Sequence, residues 1–296
     1  MAAHGRHRPG IAGRSHGPDR FLTRQGYPEQ VIRAAIALVL LGILFVPMEK
    51  LRPVRRDQRV LRTGVRTDVL HFVFTGTLGT IALVALAIIV VLPVQALTPD
   101  SLVRTVQSQP ALVQLAEALL IVEFAGYWAH RLHHEIPVLW KLHRVHHSSE
   151  QMDWLASAHL HPLDSATSRI VAVVPLALLG FSRETFGATL VLLQLHAIFQ
   201  HANMRVRFGA LGQAVSSPHF HHWHHSGDLE ARNRNYAGMF PWIDRIFGTH
   251  HAPVDRWPSR YGIDEPMPAG YLGQLRSPCA KAPFARAPFA KVTVPT

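Results

Sequence analysis

The chain of 296 residues is 48% hydrophobic and only 17% charged, which is too few charges for the surface of an ordinary soluble protein. Its 30 Lys and Arg exceed its 19 Asp and Glu, and the formal charge of +11 is compatible with nucleic acid, an anionic membrane or an acidic partner. The apolar segments favour the membrane, and we expect no nucleic-acid partner. A single cysteine, Cys279, excludes a disulfide framework and a thiolate cage, so that 21 histidines are the obvious metal ligands.

The chain starts with residues 1–30, which are rich in Arg, Gly, Pro and His and show no apolar periodicity. We predict a disordered basic arm there. Four apolar stretches follow, and they are Ala34–Met48, Leu70–Leu97, Ala111–Trp128 and Ile170–Phe199. The first is short for the roughly 20 residues that a full crossing needs.

The third and fourth stretches carry features that a simple lipid-facing span lacks. Glu117 and Glu123 lie in the third, and carboxylates inside membranes usually face protein or water. Residues 180–184 interrupt the fourth, which is therefore interpreted as a helical hairpin or a broken span. The stretches together predict an all-α fold, an integral membrane helical bundle of about four spans.

A basic segment between the first two stretches, residues 50–66, indicates by the positive-inside bias that this side is cytoplasmic. All histidine clusters then fall on the cytoplasmic side, in a histidine-rich helical cap. Residues 31–265 are interpreted as one domain. Residues 266–296, which end in the near-repeat KAPFARAPFAK, are predicted to be a disordered tail.

Three histidine motifs follow the third apolar stretch. One H-x-x-x-H motif and two H-x-x-H-H motifs place histidines three and four residues apart, which brings side chains toward one helix face. The motif histidines are His130 and His134, then His143, His146 and His147, then His221, His224 and His225. Two more candidates, His196 and His201, lie at the end of the fourth stretch.

The number of these histidines bears on how many metals they hold. One four-coordinate zinc needs three or four ligands, whereas eight or more imidazoles fit two metals with open positions, a pattern that favours catalysis. The Glu and Glu-x-x-His pairs of soluble di-iron bundles are missing. Imidazole suits iron, copper and zinc, so the ligand type leaves the metal open.

The motifs and their flanking residues resemble the fatty acid hydroxylase and sterol desaturase superfamily. The resemblance covers the motif core, residues 127–249, through the strings HRLHHEIPVLWKLHRVHHSSE, HPLD, FQHAN, SSPHFHHWHHS and NYAGMFPWIDRIFGT. It implies a membrane-bound oxygenase with two iron ions, which zinc may replace in a purified sample. The implied ligands are the eight motif histidines together with His201 and His196.

The resemblance also implies the reaction and its partners. A C–H bond of a lipid, sterol or fatty-acyl substrate is hydroxylated or desaturated with O2, and electrons come from a separate partner of the cytochrome b5 or ferredoxin type. A narrower alternative within the superfamily is an ether-lipid monooxygenase that takes electrons from a pterin, which the adjacency of His134 and Glu135 suggests.

Several polar residues beside the motifs are candidates to orient the ligands, because a metal-bound imidazole commonly donates its other N–H to a carboxylate. They are Glu135, His161, Asp164 and His222. His161 is a candidate for ligation as well.

Two hypotheses from other classes remain. A zinc or nickel transporter would need ionisable residues along a membrane-spanning path, whereas these histidines gather outside the spans. A metal-stabilised scaffold without catalysis would have saturated ligand spheres.

Overall fold

The computed structural model describes residues 27–280, which form helices and loops with no β-strand among them, and the all-α prediction is confirmed for this part of the chain. The α-helices are α1 Tyr27–Leu51, α2 Val65–Leu70, α3 Gly76–Leu86, α4 Leu92–Gln95, α5 Asp100–Gln107, α6 Ala111–Glu135, α7 Pro137–His147, α8 Pro162–Leu178, α9 Arg183–His201, α10 Pro218–His224, α11 Trp242–Ile246 and α12 Tyr271–Arg276. Most of the predicted basic arm lies outside the described residues, as does the near-repeat KAPFARAPFAK.

Two of the described helices are long and apolar enough to cross a membrane, Glu29–Leu51 in α1 and Ala111–Glu135, which is α6. Many apolar side chains of α1 are exposed, such as Ile43 at 68% of its surface, as expected for a helix that contacts lipid. The other two predicted stretches are helical but divided. The π-helical segments His71–Thr75 and Ala87–Val91 join α2, α3 and α4 into one run.

The predicted break in the fourth stretch is confirmed, because α8 ends at Leu178 and α9 begins at Arg183. Gly180 makes the turn with φ +75°, where a Cβ atom would lie 2.8 Å from Val103 Cγ2. Ser182 then caps α9 by accepting a hydrogen bond from the Thr185 N–H.

Helix α6 lies at the centre of the fold and packs against α7, α8 and α9. The buried side chains in this part of the core are Val106, Ala118, Val122, Leu176 and Phe181. Three helices that surround the end of α6 begin with proline, α7 at Pro137, α8 at Pro162 and α10 at Pro218. Proline at this position has its φ already fixed for a helix, which defines where each helix starts.

The folded region continues beyond residue 265, where we expected a disordered tail to begin. Helix α12 buries Tyr271 and Gln274, which are three residues apart and therefore share a face. The Tyr271 ring packs edge-on against His71 at 4.7 Å between centroids, and Gln274 Oε1 lies 2.7 Å from His71 Nε2. Residues 281–296 of the predicted tail lie outside the described residues.

A buried ion cluster fixes the loop before α2. The Arg62 guanidinium donates to Asp153 at 2.5 Å and to Asp68 at 2.6 Å, and all three side chains are buried.

Replacing Arg62 with Met should lower the free energy of unfolding by about 3–5 kcal/mol, because two buried carboxylates lose their counter-ion. Thermal unfolding in detergent measures this. The matched variant Arg66→Met, at an exposed position, should change stability by less than about 0.5 kcal/mol, and equal losses would contradict the assignment.

Candidate metal centre

Eight histidines from four helices, together with His225 directly after α10, converge at the end of α6 and form two groups. Group A contains His130, His134, His143, His147 and His224. Group B contains His146, His201, His221 and His225. Within each group, one ring nitrogen from every member lies within 4.8 Å of the others.

Each H-x-x-H-H motif contributes to both groups. His143 and His147, four residues apart, enter group A, while His146 between them enters group B. The second motif is divided in the opposite way, with His221 and His225 in group B and His224 in group A. Histidines that the spacing brings toward one helix face are thus divided between two groups. At 3.6 residues per turn, positions i+3 and i+4 point about 100° apart, so they can face different neighbours.

The two groups are adjacent. The rings of His147 in group A and His225 in group B stack with centroids 4.4 Å apart. His146 in group B lies 5.5 Å from His147 by the same measure. The arrangement has the form of one centre with two neighbouring positions.

In four of the histidines, the hydrogen bond made by Nδ1, the ring nitrogen that points away from the group, fixes the tautomer. In group A, His130 Nδ1 donates to the Tyr236 carbonyl at 2.7 Å and His143 Nδ1 donates to Asp164 at 2.9 Å. In group B, the same atoms of His146 and His201 donate to the His159 and Ala197 carbonyls. A carbonyl or an ionised carboxylate can only accept, so in each neutral ring the proton is on Nδ1 and Nε2 has a free lone pair.

These lone pairs face one another. Nε2 of His130 lies 3.1 Å from Nε2 of His143, and Nε2 of His146 lies 3.2 Å from Nε2 of His201. Neither atom of such a pair has a proton to donate, so the contact is repulsive unless a cation lies between them. Two nitrogens at this separation can both reach one ion at the ~2.0–2.1 Å typical of imidazole–metal bonds.

Further nitrogens of group A are buried without a hydrogen-bond partner, namely the Nε2 atoms of His134, His147 and His224. A buried polar atom without a partner is costly and requires an explanation. A metal ion in group A would satisfy all three. The donor set and these unpartnered atoms therefore fit a metal.

The electrostatics favour neutral imidazoles, the form that binds metals. Burial and the neighbouring rings lower the pKa values of His146, His147, His221 and His225 well below 6.5. Burial lowers the pKa of His224 to about 3.

One predicted ligand lies apart from both groups. His196 is on α9 with His201, but its Nε2 makes a 2.8 Å hydrogen bond with Ser216 Oγ. Residues five apart on a helix point about 140° apart, so α9 cannot direct both rings to the same place.

The four predicted orienting residues have different surroundings. Asp164 contacts ligand candidate His143, and its Oδ1 also lies 3.4 Å from His133 Nε2. Glu135 instead forms a surface ion pair with Arg131 at 2.7 Å. His161 caps α8 by accepting from the Leu163 N–H, and His222 bonds Tyr261 and the Ala202 carbonyl.

We expect Asp164→Ala to weaken metal binding by group A about 10–100-fold, because residues that orient a ligand imidazole typically contribute this much. The variant leaves the His143 Nδ1–H without its buried partner. Metal content after dialysis against a graded chelator measures the effect. Glu135→Ala is the matched control and should bind as the unmodified chain does, whereas equal losses would contradict the distinction between these carboxylates.

The role of Tyr236 was not predictable from the sequence, although this residue lies within the closing string NYAGMFPWIDRIFGT. Its carbonyl accepts from His130, and its ring packs against His134 with centroids 5.2 Å apart. This string contributed only to the family resemblance. None of its side chains is a typical metal ligand in a pattern that would have pointed to Tyr236.

A cavity of about 170 Å³ reaches group A. Its inner wall contains His134, His147, His224 and Trp140, and its rim includes the exposed residues Arg232 and Asp264. A larger polar cleft of about 830 Å³ between residues 55–63 and 259–261 contains none of the nine histidines. Group A therefore has an adjoining space that can admit part of a substrate.

The sequences of known proteins point to the same kind of site as the two adjoining groups of imidazoles. The sequence model of the fatty acid hydroxylase family matches residues 115–249, which include all nine histidines. This match and the curated relatives confirm the resemblance to the fatty acid hydroxylase and sterol desaturase superfamily.

Curated relatives include ornithine lipid hydroxylase OlsE of Rhizobium tropici, 33% identical over 175 residues, which are 58% of this chain and 52% of that protein. Human alkylglycerol monooxygenase is 31% identical over 150 residues, 51% of this chain and 33% of that protein. Delta(7)-sterol-C5(6)-desaturase of Nicotiana tabacum is 32% identical over 141 residues, 46% and 49% of the two chains. This chain thus spans a third to a half of these relatives. No solved structure gives a significant match.

Proposed function

We propose that this protein is a membrane-bound di-iron oxygenase that oxidises a C–H bond of a lipid, sterol or fatty-acyl substrate. The observation that carries the proposal is the pair of imidazole groups in which unprotonated Nε2 atoms face each other 3.1–3.2 Å apart. The relatives named hydroxylase, monooxygenase and desaturase support an oxidative reaction on a lipid.

The proposed ligands of one iron are the five histidines of group A, and those of the other are the four of group B. His196 is left out of this set because it bonds Ser216. When bound, the two irons would supply the redox chemistry that activates O2. For hydroxylation, R–H, O2, two electrons and two protons give R–OH and water. For desaturation, the same inputs remove two substrate hydrogens and give two waters.

The chain's own residues place the substrate and the ligands. Asp164 holds the His143 ring in the orientation that points Nε2 into group A. The cavity beside Trp140 gives a substrate carbon access to group A, and its charged rim at Arg232 and Asp264 can accommodate the polar end of an amphiphile. The electrons come from a separate carrier of the cytochrome b5 or ferredoxin type.

The proposed topology has about four membrane crossings. They are α1, the run from α2 to α4, α6, and the divided pair α8 and α9. The excess of Lys and Arg in residues 50–66 supports a cytoplasmic position of the histidines, by the positive-inside bias. Electron carriers of that compartment could then reach the centre. Residues 31–265 with α12 would form the catalytic domain.

The contacts of Glu117 and Glu123, the two carboxylates of the third apolar stretch, disfavour the transporter alternative. Glu123 accepts a hydrogen bond from the Met239 N–H, and Glu117 pairs with Gln109. Both carboxylates thus have local partners, as expected for structural residues rather than a transport path. The cavity that reaches group A disfavours a closed scaffold site.

The test uses detergent-purified full chain loaded anaerobically with Fe²⁺, then given reduced ferredoxin, a lipid extract and ¹⁸O2. We expect about two irons per chain, lipid-dependent O2 consumption, and a product that gains one ¹⁸O atom or loses two hydrogens by mass spectrometry. Chain loaded with Zn²⁺ is the control and should consume no O2. Iron-loaded chain that leaves O2 and every lipid unchanged with a competent donor would overturn the proposal.

A further inference from the structure

The segment Asn235–Ala237 contacts group A in two ways. The Tyr236 carbonyl accepts the His130 Nδ1–H, and the Tyr236 ring packs against three ligand candidates of the same group. These are His134, His130 and His224, with ring centroids 5.2, 5.9 and 6.2 Å away. In group B, the corresponding carbonyls come from His159 and Ala197, so this segment serves group A.

The backbone of this segment turns at Asn235, and the asparagine side chain stabilises the turn. Asn235 has φ +58°, in the left-handed region where asparagine is enriched. Its buried side-chain amide donates to the Phe220 and His251 carbonyls at 3.0 and 2.6 Å. The backbone turn that presents Tyr236 is therefore tied to α10, the helix that carries His224.

Asp244 on α11 holds the same segment through its backbone. The carboxylate is fully buried and accepts from the Tyr236 N–H at 2.7 Å and the Ala237 N–H at 2.8 Å. Thr249 Oγ1 donates to it at 2.6 Å. Both carboxylate oxygens are thus used, which places the segment at a fixed distance from α11.

A second carboxylate connects the following residues to the ligand helix. Glu123 of α6 accepts from the Met239 N–H at 2.5 Å. A Cβ atom on Gly238 would lie 2.9 Å from Glu123 Oε1, so this approach needs glycine. Glu123 lies on α6 together with His130, so Tyr236 is held between α6 and Asp244.

We propose that Asp244 is a positioning residue for group A: it fixes the Tyr236 carbonyl that selects the His130 tautomer, and so sets the metal affinity of group A without affecting group B. The inference rests on the proposed function only in that both groups bind metal. It assigns to Asp244 a role in the centre although it touches no ligand.

The test is a Co²⁺ titration of metal-free, detergent-purified full chain, followed by visible absorption and by metal content after dialysis. The unmodified chain should bind two Co²⁺ ions. In Asp244→Asn the amide has only one acceptor oxygen, and its NH2 opposes a backbone N–H. Group A should bind about 10–100-fold more weakly, the usual effect of losing an outer partner, and group B should bind as before.

Two controls assign the result. His225→Ala removes a ligand of group B and identifies the absorption of the ion that remains in group A. Asp255→Asn replaces an exposed aspartate and should leave both affinities unchanged. If Asp244→Asn does not fold, Thr249→Val decides, because it removes one donor to the Asp244 carboxylate and should weaken group A alone by several-fold.

The outcomes separate a positioning role from a structural one. Equal weakening of both groups, or an unchanged affinity of group A, overturns the role of Asp244 while the proposed function stands. An unmodified chain that binds no metal in either group refutes the proposed function itself, and with it this inference.

Discussion

Reducing either histidine group to two imidazoles is expected to lower the metal content from two ions to one per chain and to abolish lipid oxidation. The triple variant His130→Ala/His134→Ala/His143→Ala does this for group A, and the double variant His221→Ala/His225→Ala does it for group B. Each variant should retain the ion of the other group, because the two sets share no ligand. Lipid-dependent O2 consumption should fall at least ~100-fold, since even loss of an outer partner costs 10–100-fold.

Metal analysis after gel filtration and product detection by mass spectrometry are the two measurements. His196→Ala is the matched control, because it removes a histidine of α9 that bonds Ser216 rather than a group member. It should keep two metals. Loss of metal in His196→Ala, or retention of two ions in either variant that leaves two imidazoles in a group, would show that the ligand groups are wrongly assigned.

The order and spacing of the histidines were sufficient to predict a metal site, but not how the histidines are distributed. An H-x-x-H-H motif places its members on adjacent faces, and the neighbouring helix that each face meets decides the group. His146 faces His201 of α9, whereas His143 faces His130 of α6. Such pairings join residues 13 and 55 positions apart, and no local pattern contains them.

His196 illustrates a prediction that helix geometry could have refined. Proximity in sequence to His201 made it a candidate ligand, yet a separation of five residues on a helix points the two rings about 140° apart. The structure accordingly places its ring beside Ser216 and that of His201 in group B.

Helices that depend on apolar composition could be predicted from the sequence. Segments whose order depends on single long-range contacts could not. Apolar stretches identified α1 and α6, and a Gly-Phe-Ser sequence identified the break before α9. Residues 266–280 were expected to be disordered because they lack periodicity. They are folded because Gln274 bonds His71, and Thr67 donates to the Ala269 carbonyl at 2.9 Å.

The metal-free protein should lose stability steeply as the pH falls below about 6.5. In the folded state, burial holds the pKa values of His146, His147, His221 and His225 well below 6.5, and that of His224 at about 3. In the unfolded chain these groups titrate near 6.5. Between the two pKa values the unfolded state binds more protons, so stability is complete above pH 6.5 and is lost toward acid.

Each such histidine contributes a slope of up to about 1.4 kcal/mol per pH unit, and several together give a slope of several kcal/mol. Thermal unfolding in detergent between pH 8 and pH 5 should show a plateau above pH 7 and a fall below 6.5. His147→Gln removes one titrating group and should reduce the slope by about 1.4 kcal/mol per pH unit. A stability that does not change from pH 8 to pH 5 would mean that these rings are accessible to protons in the folded state. Closely packed neutral imidazoles would then be excluded, because protonated rings at these distances would repel one another.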